Sequence, residues 1–532
     1  MSTLLGWQDT FGGVCHVGAN VDMVAGYIER QSLAARDAAP RMHAYEGATN
    51  DRLHGAGWMT SGLSADSALE LDRETLIQRS RSMMRNDVSG GGVDEQKDLV
   101  VGTGFTPRAA IRVKDGLITK KMADRFNLEL EEIYEGWCEH AGVSGNDSLW
   151  EMCRLIAGIH EVDGESVTVF SALRRDEVPI PLAMEVIDAD RLRTPPEKVG
   201  DKLCRMGIQY NSVGQIIGYW IQRKHPDDAK DIDLHFDMYP PDRVCHVFEK
   251  WFAGQSRGLP AMARTLLRVK DRDDLDEAMI IAAQIKACFA AFVKQVQSTP
   301  GLDATGLMNS LATGWSADGT ITGDIRPGTI QKLGAGQDML FAQPGSGGDS
   351  VVLMNEQNDR RIAVGQNKPY EMLAKDWRGV SFAGGRIVLS GAKLATETKQ
   401  ERISTRWLRR TWNKLVDYAV MTGACSIPAR LYAGREMFFR RHEWIPQAWP
   451  FSIAPGEEID AIVKAVDANI TPKQKAIAAY NGGKWAQVAA DRGAERQLER
   501  DLDIVPPNVE KIENMPQPAP QQTERQLQQS GR

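Results

Sequence analysis

Residues 240–271, PPDRVCHVFEKWFAGQSRGLPAMARTLLRVKD, and their continuation 272–296, RDDLDEAMIIAAQIKACFAAFVKQV, govern how the rest of the chain is read. Val244 to Phe248 reads as a short strand, followed by a Gly-rich connection. Gly258-Leu259-Pro260 then opens a helix, because proline in a first turn has no N–H to waste and a pre-set φ. Asp271, Asp273 and Asp274 give a stronger start signal, since carboxylates favour a helix N-terminus. Leu275, Met279, Ala282, Ile285, Phe289, Phe292 and Val296 recur at helical spacing along one face. Ile280, Ile281 and Cys288 occupy other faces, so the segment is apolar nearly all round and is expected to be buried. Ala283 and Ala287, with Ala282, would let neighbours approach closely. A single helix from Asp274 to Gln295 would be about 33 Å long. Gln284, Lys286 and the shortness of the run argue against a membrane span. An ordinary core helix of a large enzyme fits the same pattern.

At 532 residues the chain is too long for one simple core, and about two to four domains are expected. A mean hydropathy of −0.36 without a long apolar run points to a soluble protein. The N-terminal residues lack a charged stretch followed by an apolar core, so no secretory signal is read. The 7 cysteines are scattered, without a CxxC pair, and read as buried thiols, not as a disulfide or zinc framework. No GxSxG, HExxH or GxxxxGK[ST] motif occurs, so no catalytic, cofactor-binding or metal-binding residues are assigned. Gly102-Thr103-Gly104 has no third glycine and follows a helix, so it is not a nucleotide loop. The acidic stretch His225 to Asp237 matches no EF-hand spacing and reads as a solvated loop.

Along the chain, residues 64–86 form a helix capped by Asp66 or Ser67, which Gly90-Gly91-Gly92 separates from a second helix beginning at Val93. Helices follow at 120–141 and 148–160, strands at 164–173 and 182–187, and a hairpin turns at Asn211 to Gly214. Lys375 to Gly385 reads as a loop, and Arg386 to Thr422 as a long helix. Between Lys375 and Lys414 ten cations face three anions, the one clearly basic stretch of a chain whose net charge is −7.

Several strings, in order, resemble the lambda-like family of tailed-phage portal proteins. They are the GQSRGLPAMARTLLRVKDRDDLDEAM segment, helix-VGTG-strand near 101–109, the "ID-D-RL-TP" string at 187–195, the PGTI string near 327–330, and the 435–450 segment ending in AWP. The family's GLGVPYE is GQNKPYE here, so the turn before Pro369 is expected to differ. The resemblance spans about 75–504. It implies an α+β portal fold with an N-terminal arm (1–65), a wing (66–257), a first stem helix region (258–298) and a clip (299–348). A second stem helix (349–374), a channel loop (375–385), a long helix returning to the wing (386–455) and a helical crown (456–505) complete it, while residues 506–532, Pro/Gln-rich and polar, read as a disordered tail by composition.

The resemblance further implies a dodecameric ring at one capsid vertex, with double-stranded DNA in its bore. Its partners would be copies of itself, terminase, the major capsid protein and a neck protein, without membrane or cofactor. Trp377, Arg378, Ser381, Phe382 and Arg386 would line the channel. Leu275, Met279, Ala282, Ala283, Ala287, Phe289 and Phe292 would pack the stem. A mildly acidic chain suits a conduit, because a duplex that must slide cannot be gripped by many phosphate contacts. Two other classes stay open: a capsid or scaffold protein without a DNA path, and a terminase-like DNA-processing enzyme.

Overall fold

A computed structural model of the chain describes residues 7–8, 14–15, 62–85, 87–114, 117–176, 178–228, 233–287, 291–295, 337–341, 348–451, 454–481 and 483–501. Up to Leu63 the chain is a unit of its own, in which strand β1 (Trp7–Gln8) pairs antiparallel with β2 (Val14–Cys15). Most of the expected arm, most of the clip and the expected tail lie outside the described residues.

The larger unit opens with α1 (Ala65–Met83). Its N-cap is Ser64, whose hydroxyl accepts from the Ser67 N–H, in place of the expected Asp66 or Ser67. The Asp66 carboxylate is occupied elsewhere, accepting from Ser256 N–H and Oγ–H. The next helix, α2 (Asp87–Val100), runs straight through the three glycines expected to break the chain. A Cβ on Gly90 would stand 2.6 Å from the Met84 carbonyl oxygen and one on Gly92 2.8 Å from Leu373 Cδ1, so glycine permits close packing there. That tertiary contact outweighs a propensity cost of about 1 kcal/mol per glycine. Strand β3 (Thr106–Ala109) follows, then α3 (Lys120–Cys138) and α4 (Leu149–Val162), the latter opened by a Ser148–Glu151 capping box.

Strands β4 (Glu165–Ala172), β5 (Leu182–Ile187), β6 (Cys204–Arg205), β7 (Ile208–Tyr210), β8 (Ile216–Gln222), β9 (Phe236–Tyr239) and β10 (Val244–Phe248) build two antiparallel sheets, β10-β4-β5 and β6-β7-β8-β9. Val167, Val169, Ile208, Tyr219, Ile221 and Val244 form a shared core between them. The expected hairpin is present, with the Asn211 side chain accepting from the Val213 and Gln215 N–H groups.

The stem region departs from expectation. A 3-10 turn (Ala261–Arg264) leads into α5 (Leu266–Ala287), which starts eight residues before Asp274 and ends before Phe292. Phe292 sits in β11 (Ala291–Gln295), antiparallel to β12 (Gln337–Phe341), so it belongs to a strand and not to the helix. Phe289 lies outside the described residues. The aspartates instead sit within the helix, where Arg272 bonds Asp276 and reaches Asp359 of α6 (Gly348–Gly365) at 2.6 Å. α7 (Tyr370–Leu373) follows.

The long helix begins at Phe382, not Arg386. α8 (Phe382–Arg402) passes through a π turn (Ile403–Leu408) into α9 (Arg409–Thr422). The π turn and α9 put Ile403, Trp407, Leu408, Thr411, Trp412 and Leu415 into the main core with Trp137, Phe105 and Phe439. Trp407 Nε1 donates to Thr168 Oγ1 (2.9 Å) and Trp137 Nε1 to the Leu182 carbonyl (2.8 Å), so two buried indoles keep partners. Short helices α10 (Ala429–Tyr432) and α11 (Glu436–Phe439) precede β13 (His442–Ile445), which pairs with β3. Three further helices close the described chain: α12 (Pro455–Asp467), α13 (Lys473–Asn481) and α14 (Trp485–Asp501). The fold is α+β. No described helix is long and apolar enough to cross a membrane.

Candidate functional site

The segment between α7 and α8 is short because both ends are fixed locally. Lys375 takes a positive φ (50°) directly after α7, and Gly379 another (75°), so the chain reverses over a few residues. Ser381 then caps α8, its hydroxyl accepting from the Gly384 N–H at 3.1 Å. Phe382 to Gly385, expected in a loop, are therefore the first helical turn. Phe382 is 64% exposed and Trp377 45% exposed, and Ser381 and Arg386 are also exposed. The structure thus brings Trp377, Arg378, Ser381, Phe382 and Arg386 together on one open surface segment.

Arg378 is not a free cation. Its Nε and Nη2 donate to the two oxygens of Asp376 at 2.8 and 2.7 Å, and its backbone N–H donates to the same carboxylate. These bonds hold the Asp376 carboxyl well below the usual carboxylate range. Four further cations of the basic stretch are paired. Lys399 bonds Glu161, Arg402 bonds Glu249, Lys414 bonds Asp242 and Lys393 bonds Glu397.

Beneath the segment lies a buried clasp that the sequence did not reveal. Glu161 of α4 accepts from Lys399 of α8 at 2.5 Å and pairs with Lys368 at 3.2 Å. Lys368 also donates to the Gly92 carbonyl (3.0 Å), and Lys399 to Gln96 Oε1 (2.7 Å). One carboxylate thereby fastens α2, α4, the end of the stem pair and the long helix. Burial alone would push the Glu161 carboxyl up, but the two ammonium groups hold it down, to about 2. Lys368 is the lysine of GQNKPYE, the position where the sequence departs from the family string; it is a buried counter-ion.

A second cluster centres on Glu165, buried at the start of β4. Burial opposes its charge, yet Arg257 and Arg73 hold it well below the usual range. Arg257 donates to it from Nε and Nη2, Arg73 from Nη2 (2.7 Å), His246 pairs at 2.9 Å, and the Gly258 N–H donates at 2.8 Å. Arg257 also donates to the carbonyls of Ala189, Leu192 and Met206. The GQSRGLP string is thus a buried arginine fork with its backbone laid against Gly164, where a Cβ would meet Leu259 at 2.0 Å. The signal available in sequence was an arginine inside a Gly/Pro string beside an apolar strand.

The remaining charged set joins Arg81 to Asp163 (2.8 Å), Asp188 (2.8 Å) and Asp190 (3.0 Å). Asp188, Asp190 and His225 bring ligand atoms within 4.8 Å of one another, the one such set among the described residues. Arg81 already bonds both carboxylates, so the set is an ion cluster whose chemistry is met by a guanidinium. It also explains the "ID-D-RL-TP" string, whose aspartates are the anchors of α1.

The stem residues divide by face. Leu275, Met279 and Ala282 are half-buried, and Met279 Sδ lies 3.9 Å from Asn355 Nδ2 of α6. Ala283 is exposed, and Ala287 is the last residue of α5. Contrary to the expectation of burial, Ile280 is 59% and Ile281 47% exposed, and Val352, Leu353 and Met354 of α6 are exposed as well. Apolar helix faces left open beside a closed core define a subunit built to associate with others.

Residues 51–400 match the sequence profile of the family described as phage portal protein, lambda family. The chain belongs to that family, whose members are structural proteins of tailed phages. It is similar to the portal protein of Escherichia phage N15, 21% identical over 483 residues, covering 85% of this chain and 89% of that one. Portal protein B of Escherichia phage lambda is likewise 21% identical, over 495 residues, covering 85% and 88%. Among solved structures, a chain from the neck of an empty gene transfer agent particle aligns at TM-score 0.46 and 13% identity, covering 75% of this chain and 92% of that one. An HK97 family phage portal protein from Corynebacterium diphtheriae aligns at TM-score 0.27 and 12% identity, covering 61% and 82%. At these scores no argument rests on the superpositions.

Proposed function

We propose that copies of this chain, twelve by family analogy, close into a ring at one vertex of a phage head, and that α5 and α6 form its stem. The bore would carry double-stranded DNA during packaging and ejection, with terminase and neck proteins docking in turn and the major capsid protein around the ring. The observation that carries this reading is the exposed apolar surface of Ile280, Ile281, Val352, Leu353 and Met354 on helices already packed against each other. A head-to-tail ring covers two different faces of each subunit, which is what an α5–α6 pair apolar on more than one side requires. Residues 375–386 would then reach into the bore. Trp377 and Phe382 add bulk there. The Asp376–Arg378 pair leaves little net charge to hold a sliding duplex. No ATPase or nuclease activity is assigned to the chain.

The test is negative-stain microscopy of purified protein, followed by packaging assays on Trp377→Ala/Phe382→Ala. Rings with a central hole are expected from both proteins, with genome retention lowered in the double variant. Compact monomers would sink the ring. Normal retention by the double variant would remove residues 375–386 from the bore.

A further inference from the structure

The exposed side of the π turn and α9 carries a groove that the channel reading does not use. Its floor is the helix from Glu401 to Asn413. One wall is Cys245 to Val247 of β10, and the other is Met437 with Arg440 to Trp444. The two halves, of about 520 and 320 Å³, share Thr405, Arg409 and Asn413, so they form one continuous trough. Arg406, Arg409 and Arg441 are exposed and have no carboxylate partner among the described residues. This contrasts with the rest of the basic stretch, whose cations are largely paired. Arg441 is pre-placed over the Phe438 ring at 5.6 Å. Arg410 and Arg440 are anchored, the first on the Pro241 carbonyl and the second on Asp417. Glu401 and Glu443 are the acidic members, and Glu443 is engaged by Arg108. The floor is rigid, because Trp407 and Trp412 lock the opposite face of the same helix into the core.

We propose that this groove binds the phosphodiester backbone of double-stranded DNA outside the channel. Guanidiniums with the Asn413 amide beside them are the donor types that recognise phosphate oxygens without reading sequence, while the Ser404 and Thr405 hydroxyls already donate to the Glu401 carbonyl. An acidic protein segment is the weaker fit, since protein interfaces need large apolar anchors and this lining offers little beyond Met437 and Trp444. A π turn on the floor is consistent with a functional surface, since such turns recur at functional sites. The inference does not depend on where residues 375–386 lie.

The experiment uses assembled full-length protein and relaxed closed circular duplex DNA, which has no end to thread through a ring. Binding is measured across salt concentrations, with poly-glutamate of matched charge as competitor. Wild type is expected to bind with strong salt dependence. Arg406→Glu/Arg409→Glu should weaken binding by about tenfold or more, and Arg406→Gln/Arg409→Gln should make the log–log salt slope shallower by about 2. A merely structural role would leave that slope unchanged. Unaltered binding and slope in both groove variants would overturn the proposal. So would displacement of DNA by poly-glutamate at equal charge, which would assign the groove to an acidic protein segment.

Discussion

The body built around Trp137 and Trp407 closes on itself, whereas the α5–α6 pair does not. In the body, even the charges inside it are met internally: Glu161 has two lysines, Glu165 two arginines and a histidine, Arg81 three aspartates. In the pair, isoleucine, valine, leucine and methionine side chains face outward. The hydrophobic effect is indifferent to which molecule supplies the cover. An apolar helix therefore signals burial somewhere, and only the fold shows that the single chain leaves it open. A buried ion pair behaves differently. It must find its partner at bonding distance, and in this chain the partners come from elements far apart in sequence.

Breaking the closed side should have the largest effect. Glu165→Gln leaves Arg257 buried without a counter-charge and Arg73 with only Asp190, at 3.5 Å, and should cost about 3–5 kcal/mol, read as a shift of the urea midpoint. If the midpoint moves by less than the experimental error, the cluster is not what joins α1 to the sheets.

Acid should act next. The half-buried His160 of α4 is held down, to about 4, by desolvation and by Arg402, and Glu161 sits at about 2. As pH falls below 6.5 the unfolded chain takes up a proton that native His160 resists. Below 4.5 the same holds for Glu161, whose contribution is present above 4.5 and is lost as pH falls toward 2. Each shift corresponds to about 3 kcal/mol lost across its window. Urea midpoints at pH 7, 5 and 3 should fall in that order, and a flat profile from pH 7 to 3 would contradict the clasp.

The open side separates folding from assembly. Ile281→Glu and Ala283→Arg should change the stability of the isolated chain by no more than about 0.5 kcal/mol, because both sites are exposed in it. Each should abolish rings, since a charge in an apolar subunit contact without a partner costs about 1–3 kcal/mol or more per interface. Normal rings from both variants would show that this face stays in solvent. The smallest effect belongs to the join between the regions. Ser381→Ala removes the α8 cap and should cost about 1 kcal/mol locally, visible as faster amide exchange at Gly384 and Gly385.

Much of the architecture was legible along the chain. Strands at 165–172, 182–187 and 244–248 and the capped helix at 149–162 follow from short-range pattern, and the structure has them. Three readings failed for one reason. Gly90-Gly91-Gly92 look like a break, yet Leu373 needs the space there. Asp271, Asp273 and Asp274 look like a helix start, yet α5 begins at Leu266 and it is Arg272 beside them that reaches Asp359 across the α5–α6 contact. Phe292 fits the helical period, yet its backbone pairs with Leu340. Periodicity measures only which residues avoid water, and it is blind to what lies across the contact.

The sequence by itself determined the family, the α+β class and most strands and helices between 120 and 248, because ordered strings and apolar periods are local properties of the chain. Only the tertiary structure decided that Lys368 and Lys399 meet at Glu161, that Arg257 and Arg73 meet at Glu165, that Asp376 neutralises Arg378, and that Arg406, Arg409 and Arg441 have no carboxylate partner among the described residues. The physical reason is that a charge's state is set within a few ångströms by groups whose sequence separation is often in the hundreds, and no local pattern carries that distance.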